Sequence, residues 1–335
     1  MTGESGIGKK IHGLVEQPIM KWTGKKVGLA LGGGGARGFA HIGVINVLNK
    51  HGIEIDLIVG TSAGALIGGA YALGMTTREI TAKADAYLKS PEFQESAIKS
   101  VGMLFSQGPK SFFQKIQIFT KNQYYMVRAL FRPSIMPAED FQSLINYLIP
   151  DVDIRATRIP FQAVTTDLIT GKQVVLSEGS LRQAVLASCS VPGAVEPTRL
   201  GEWLLADGGV TSLVPVHAAR AAGADVVIAV MVDRDLPADT GITTAKDVLY
   251  RAGEITANAL EAAELKNADV VIHPAVGDLH WTDFSRAKDL VAIGEEATRA
   301  ALEKIQASLP LTRRFSRFTQ RFFKTEKNRN EIGTP

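Results

Sequence analysis

A single cysteine, Cys189, among 335 residues leaves no intramolecular disulfide to form. It suits a reducing compartment and reads as a small buried side chain. No stretch reaches the roughly 18 to 20 apolar residues that a spanning helix needs, and residues 1–24 mix Gly, Lys, Glu and His without the apolar centre of a signal peptide. The expectation is a chain made and kept in the cytoplasm. Cys/His clusters and acidic loops with metal-ligand spacing are missing too, so neither a metal nor another cofactor is expected. No internal repeat suggests a solenoid. Charge of one sign is scarce: 37 Lys and Arg stand against 34 Asp and Glu. The small excess lies at the end, where residues 311–335 hold seven Lys and Arg against two Glu. Nucleic acid is therefore not an expected partner of the main body.

What is present is the material of a globular domain, 45% apolar and 21% charged. The chain is organised around Gly60-Thr61-Ser62-Ala63-Gly64. An apolar run, Ile55-Asp56-Leu57-Ile58-Val59, precedes it as a short buried strand, and the small-residue segment 65–73 follows as a helix. Strand, sharp turn and helix are the setting in which Gly-x-Ser-x-Gly becomes a nucleophile elbow. Gly60 and Gly64 allow close backbone approach, and Ser62 sits at the apex over a helix N-terminus.

A second glycine-rich turn lies upstream. Strand 26–31 runs into Gly32-Gly33-Gly34-Gly35-Ala36-Arg37-Gly38, and a helix over 39–48 follows. Such a loop exposes backbone N–H groups and suits an anion. Two anions fit. As Gly33-x-Gly35-x-x-Gly38 it matches a dinucleotide fingerprint, for which Glu54 or Asp56 supplies the acid; beside Ser62, its N–H groups instead face a tetrahedral oxyanion. Arg37 either braces the loop or meets a substrate head group.

Farther along, 77 to about 100 reads as helix, and 101–131 is rich in Phe and Tyr without a clean period. That stretch is either an irregular packed insertion or an apolar cap rimmed by Lys110, Lys115, Lys121 and Arg128. A helix opens at Pro137, a strand over 159–167 turns at Thr170-Gly171-Lys172 into its partner strand 173–176, and a helix runs over 181–188. The apolar run from Trp203 ends in Asp207-Gly208-Gly209, a tight turn that projects a carboxylate and that, alone, reads as a surface turn. Strand 225–232, helix 243–266, strand 268–273 and an amphipathic helix over 283–308 complete an α/β alternation, which implies a mostly parallel sheet covered on both faces.

Four blocks in this order, Gly32 to Gly38, Gly60 to Gly64, Ala187-Ser188-Cys189-Ser190-Val191-Pro192-Gly193 and Asp207-Gly208-Gly209, resemble the patatin-like phospholipases. With Thr165-Thr166-Asp167-Leu168 and Thr170-Gly171 they look most like the bacterial branch related to the neuropathy target esterase catalytic domain. The likeness covers residues 25–309. It implies a three-layer patatin-like α/β fold, with a central mostly parallel sheet flanked by helices. It further implies a serine hydrolase of acyl lipids of the phospholipase or lysophospholipase type: Ser62 as nucleophile, Asp207 as proton acceptor, and the backbone of Gly33, Gly34 and Gly35 as oxyanion hole. Asp207 then needs burial to raise its pKa. One departure is Ser212, where the family often carries Asn.

The same residues admit a lipid acyltransferase or a lipid-sensing module with low turnover. An ordinary Ser-Asp-His hydrolase would draw on His217, His273 or His280. Residues 1–24 are expected to be a flexible lead, 25–310 the catalytic domain and 311–335 a basic aromatic tail. In that tail Phe315, Phe318 and Phe322 share a helical face, with Arg314, Arg317 and Arg321 alongside. This is the pattern of a segment lying on an anionic membrane surface, which would put the protein peripherally at the inner face of the plasma membrane.

Overall fold

The computed structural model describes residues 25–99, 133–136, 138–233, 236, 238 and 240–310. The expected lead 1–24, the aromatic stretch 101–131 with Lys110, Lys115, Lys121 and Arg128, and the tail with Arg314, Phe315, Arg317, Phe318, Arg321 and Phe322 lie outside the described residues.

Eight strands form one sheet among the described residues. Strand β1 (Val27–Leu31) lies between β2 (Leu57–Thr61) and β7 (Val226–Val230), and β8 (Val270–Ile272) follows β7, all parallel. On the far side β2 pairs in parallel with β3 (Phe161–Asp167). Strands β4 (Gln173–Leu176) and β6 (Trp203–Asp207) run antiparallel to β3, and β5 (Thr198–Leu200) forms a hairpin with β6.

The helices are α1 (Phe39–Lys50), α2 (Ala63–Ala72), α3 (Thr77–Lys89), α4 (Pro91–Glu95), α5 (Ala138–Leu148), α6 (Leu181–Ser188), α7 (Val216–Ala221), α8 (Ala245–Leu265) and α9 (Ala287–Ser308). The helical pattern expected from 77 to about 100 is broken in the middle. Pro91 cannot continue α3, and the Ser90 hydroxyl accepts the Phe93 N–H to cap α4 instead.

Period-two alternation builds the layers even where every strand residue is buried. Leu29, Leu31, Ile58, Ile228 and Val230 join the large core beneath α1, α2, α5, α6 and α9, whereas Ala30, Leu57, Val59, Val227 and Ala229 join a smaller one beneath α7. Helices therefore cover both faces, as the unbroken apolar strands required. Helices α1 and α9 cross in close contact. A methyl group at Gly43 would overlap the Val291 carbonyl, and one at Gly294 would overlap the Ala40 carbonyl.

Because neither backbone has room to retreat, Gly43→Val is expected to destabilise the protein by about 1–3 kcal/mol or more. Urea denaturation reads this as a lower midpoint at unchanged slope; an unshifted midpoint would contradict the close crossing.

Candidate active site

Two strands end head to head on one edge of β3. Strand β4 occupies Ala163 to Thr166 of β3, overlapping both the β2 register, which ends at Thr61 opposite Val164, and the β6 register, which ends at Asp207 opposite Thr165. A strand has two edges, so β2 and β6 must share the one that β4 leaves free. They approach from opposite directions, and their C-terminal ends stop at adjacent residues of β3. Ser62, next after β2, and Asp207, last in β6, are thereby brought together.

Ser62 has φ 54 and ψ −121, and it is the one non-glycine residue with positive φ among the described residues. A conformation of this kind costs about 1–3 kcal/mol and needs support. Its N–H donates to Ser188 Oγ at 2.8 Å, and that hydroxyl donates to the Val164 carbonyl at 2.7 Å. On either side the backbone is pressed close: a methyl at Gly60 would lie 2.6 Å from the Ala65 nitrogen, and one at Gly64 would overlap the Leu31 carbonyl. Both glycines of the elbow are thus demanded by packing of α2 on β1 and β2.

Asp207 is 5% exposed. Its N–H donates to the Ser190 carbonyl at 2.8 Å, and its Oδ1 accepts the Gly209 N–H at 2.7 Å. Burial pushes the carboxyl up to about 6, against the Ser62 hydroxyl and the Gly209 N–H, whose hydrogen bonds favour the ionised form. Cys189 stands beside the pair. Burial, reinforced by the Asp207 charge, raises its thiol and keeps it protonated. It is a small buried neighbour, as expected.

The glycine loop faces the same space. Gly32 N–H donates to Val230, Gly33 N–H to Leu213 at 2.9 Å, and Ala36 N–H to Trp281 at 2.7 Å. Gly34 and Gly35, which precede and open the short 3-10 turn Gly35–Gly38, keep N–H groups without a backbone partner among the described residues. Gly33 braces the loop, so two of the three expected donors remain available. Below, His41 is fully buried and held neutral, with its pKa lowered to about 4 by burial. A carbonyl only accepts, so its Nε2–H donates to Gly32 at 2.8 Å and Nδ1 is left without a partner. Arg37 serves as a brace: Nε donates to the Gly34 carbonyl at 3.1 Å and Nη2 pairs with Asp233 at 2.6 Å. The acids needed for a dinucleotide are misplaced. Asp56 caps the opposite end of β1 by accepting the Val27 N–H at 2.6 Å.

Ser62, Asp207 and the glycine loop line one cavity of about 640 Å³, walled mainly by apolar residues including Leu66, Phe141, Ile145, Leu213 and Trp281. His217, His273 and His280 are absent from its lining. Nε2 of His217 bonds Asn267 at 2.9 Å, and Nδ1 of His280 bonds Thr282 at 2.7 Å. No group of His, Cys, Asp and Glu among the described residues is arranged to hold a metal ion, and none of their helices is long and apolar enough to cross a membrane.

Sequence reasoning gave no role to two residues that hold the parts together. Ser188 lies in the block 187–193 that carries the family resemblance, but nothing in that block assigns its hydroxyl to the Ser62 amide. Glu264, buried on α8, accepts the Ser212 hydroxyl at 2.7 and 2.8 Å and the His217 N–H at 3.2 Å. The Ser212 carbonyl in turn accepts the Thr61 hydroxyl at 3.0 Å, while the adjoining Leu213 carbonyl holds Gly33. Residues 212–213 thus tie the elbow, the Asp207 turn and the glycine loop to one carboxylate. At the position where the family often has Asn, Ser212 supplies the hydroxyl.

A family model described as "Patatin-like phospholipase" matches residues 29–220. An uncharacterized NTE family protein of Mycobacterium tuberculosis is 28% identical over 305 residues, covering 84% of this chain and 47% of its own length. Patatin-like phospholipase domain-containing protein 7 of Mus musculus is 32% identical over 231 residues, 68% of this chain and 15% of its own. This chain spans about half the length, or less, of these curated relatives. VipD from Legionella pneumophila is similar over 80% of this chain and 67% of its own, at 14% identity and a TM-score of 0.39.

The buried carboxyl has a consequence for stability. A folded-state pKa near 6 against an unfolded value near 3.8 means that the ionised Asp207 opposes folding above pH 6, an effect that fades as pH falls towards 4. Asp207→Asn, which keeps an acceptor for Gly209, is expected to be about 1–3 kcal/mol more stable than the native chain at pH 7.5. The gap should close by pH 4 in denaturation curves; a variant equally stable at both pH values would place the carboxyl in water.

Proposed function

Because the chain belongs to the patatin-like phospholipase family, we propose that it is a serine hydrolase of acyl-lipid esters, of the phospholipase or lysophospholipase type, working through an acyl-enzyme. The observation that carries this reading is the meeting of a strained Ser62 and a buried Asp207 in an apolar cavity, beside two glycine N–H groups that have no partner among the described residues.

Asp207 takes the hydroxyl proton as Ser62 Oγ attacks the ester carbonyl carbon. Charge develops on the carbonyl oxygen, where the N–H groups of Gly34 and Gly35 receive it, with Gly33 fixing the loop from behind. Collapse breaks the ester bond, and Asp207 returns its proton to the leaving alcohol. Water then attacks the acyl-Ser62 ester with Asp207 again as acceptor; the bond from the acyl carbon to Ser62 Oγ breaks, Asp207 returns the proton to Oγ, and the fatty acid leaves. With its pKa near 6, Asp207 is a better base than a solvated carboxylate and is still largely ionised at neutral pH. The apolar walls suit an acyl chain rather than a polar head group.

Intact-mass analysis after a fluorophosphonate is the direct test. The native chain should gain one adduct, Ser62→Ala none, and Asp207→Asn should label at least about 100-fold more slowly. Equal labelling of Ser62→Ala would remove the serine from the chemistry.

A further inference from the structure

Helix α8 is turned inside out. Between Val248 and Ala263 its charged residues, Arg251, Glu254 and Glu261, lie on the less exposed side, where Arg251 pairs with Glu254 at 3.3 Å; one turn on, Glu264 holds Ser212. Every exposed position over the same span is uncharged: Val248, Leu249, Ala252, Ile255, Ala259 and Leu260 are among them. Leu249 is 75% and Ile255 50% exposed. A surface helix ordinarily shows the reverse pattern, and an apolar strip running most of a 21-residue helix marks a face that meets something other than water.

The strip is continuous with the cavity. Gly253, Thr256 and Leu260 are exposed and also line the space that holds Ser62, and Val210, 48% exposed, lines the same cavity. A second copy of the chain seated on α8 would cover this mouth and shut out substrate. A lipid surface seated there would deliver acyl chains directly into it. We propose that the exposed face of α8 docks the protein on the hydrocarbon boundary of a lipid surface, with the cavity mouth facing the bilayer. The inference rests on the acyl-lipid reading of the site. Since the face carries no charge, its attraction is apolar, and docking should persist on uncharged lipid and at high salt.

The test uses the full chain with the double variant Leu249→Glu, Ile255→Glu, whose side chains lie outside the cavity lining. Flotation with pure phosphatidylcholine vesicles at molar salt measures docking without reference to turnover. Partition of the native chain should exceed that of the variant at least about tenfold. Hydrolysis of a water-soluble short-chain ester and the thermal midpoint should stay the same in both. Equal partition overturns the proposal, and so does a native dimer that the substitutions turn into a monomer, because a second copy then covers the face. If the native chain floats but cleaves no ester, the hydrolase reading fails while the docking face stands.

Discussion

Everything at this site depends on a crowding constraint along one edge of β3. Strands β2 and β6 compete for that edge, and neither can lengthen without displacing the other. Where β2 stops, the chain must turn sharply, and Ser62 absorbs the turn in a backbone conformation that a side chain rarely adopts. Where β6 stops, Asp207 is left beneath the sheet edge with little water around it. The same steric fact thus supplies a strained serine that lines the cavity and a desolvated carboxylate at adjacent registers.

Around this junction the polar groups are nearly all assigned. Ser188 holds the Ser62 amide, Glu264 and Ser212 hold the segment after Asp207, and His41 and Arg37 hold the glycine loop from below and from the side. Groups so fixed need little reorganisation when charge develops, which is how a preorganised site lowers a barrier. The arrangement opposes stability at the same points. A left-handed serine, a carboxylate raised by burial and a buried histidine nitrogen without a partner all cost free energy that the apolar sheet must offset. Sites of activity are where such local conflicts are expected.

Much of this was legible in the residues. Unbroken apolar strands and their alternation with helices implied a covered parallel sheet, and the patatin-like family assignment follows the glycine loop, the elbow and the Asp-Gly-Gly turn in order. The hairpin of β3 and β4 was legible in the turn Thr170-Gly171-Lys172, whereas the antiparallel addition of β6, with β5, to the other edge of β3 was not, because pairing between strands distant in sequence leaves no periodic trace. The break at Ser90-Pro91 was written in the proline and was read over in favour of the helical period on either side. The roles of Ser188 and Glu264 could not be found by pattern, although Ser188 lies within one of the four blocks: both act through long-range hydrogen bonds, and a lone helix Glu ordinarily reads as solvated. Gly33 shows the limit of a motif. The loop is where the sequence puts it, yet which amide stays unbonded is decided by Leu213, 180 residues away.

The most direct measurement is the pH dependence of the rate at which a fluorophosphonate phosphonylates Ser62. With Asp207 as proton acceptor at a pKa near 6, the rate should fall about tenfold per unit below that pH, level off above it, and lose this limb in Asp207→Asn. A native profile flat from pH 5 to 8, or a limb that survives in Asp207→Asn, would show that another group takes the proton and would contradict the account.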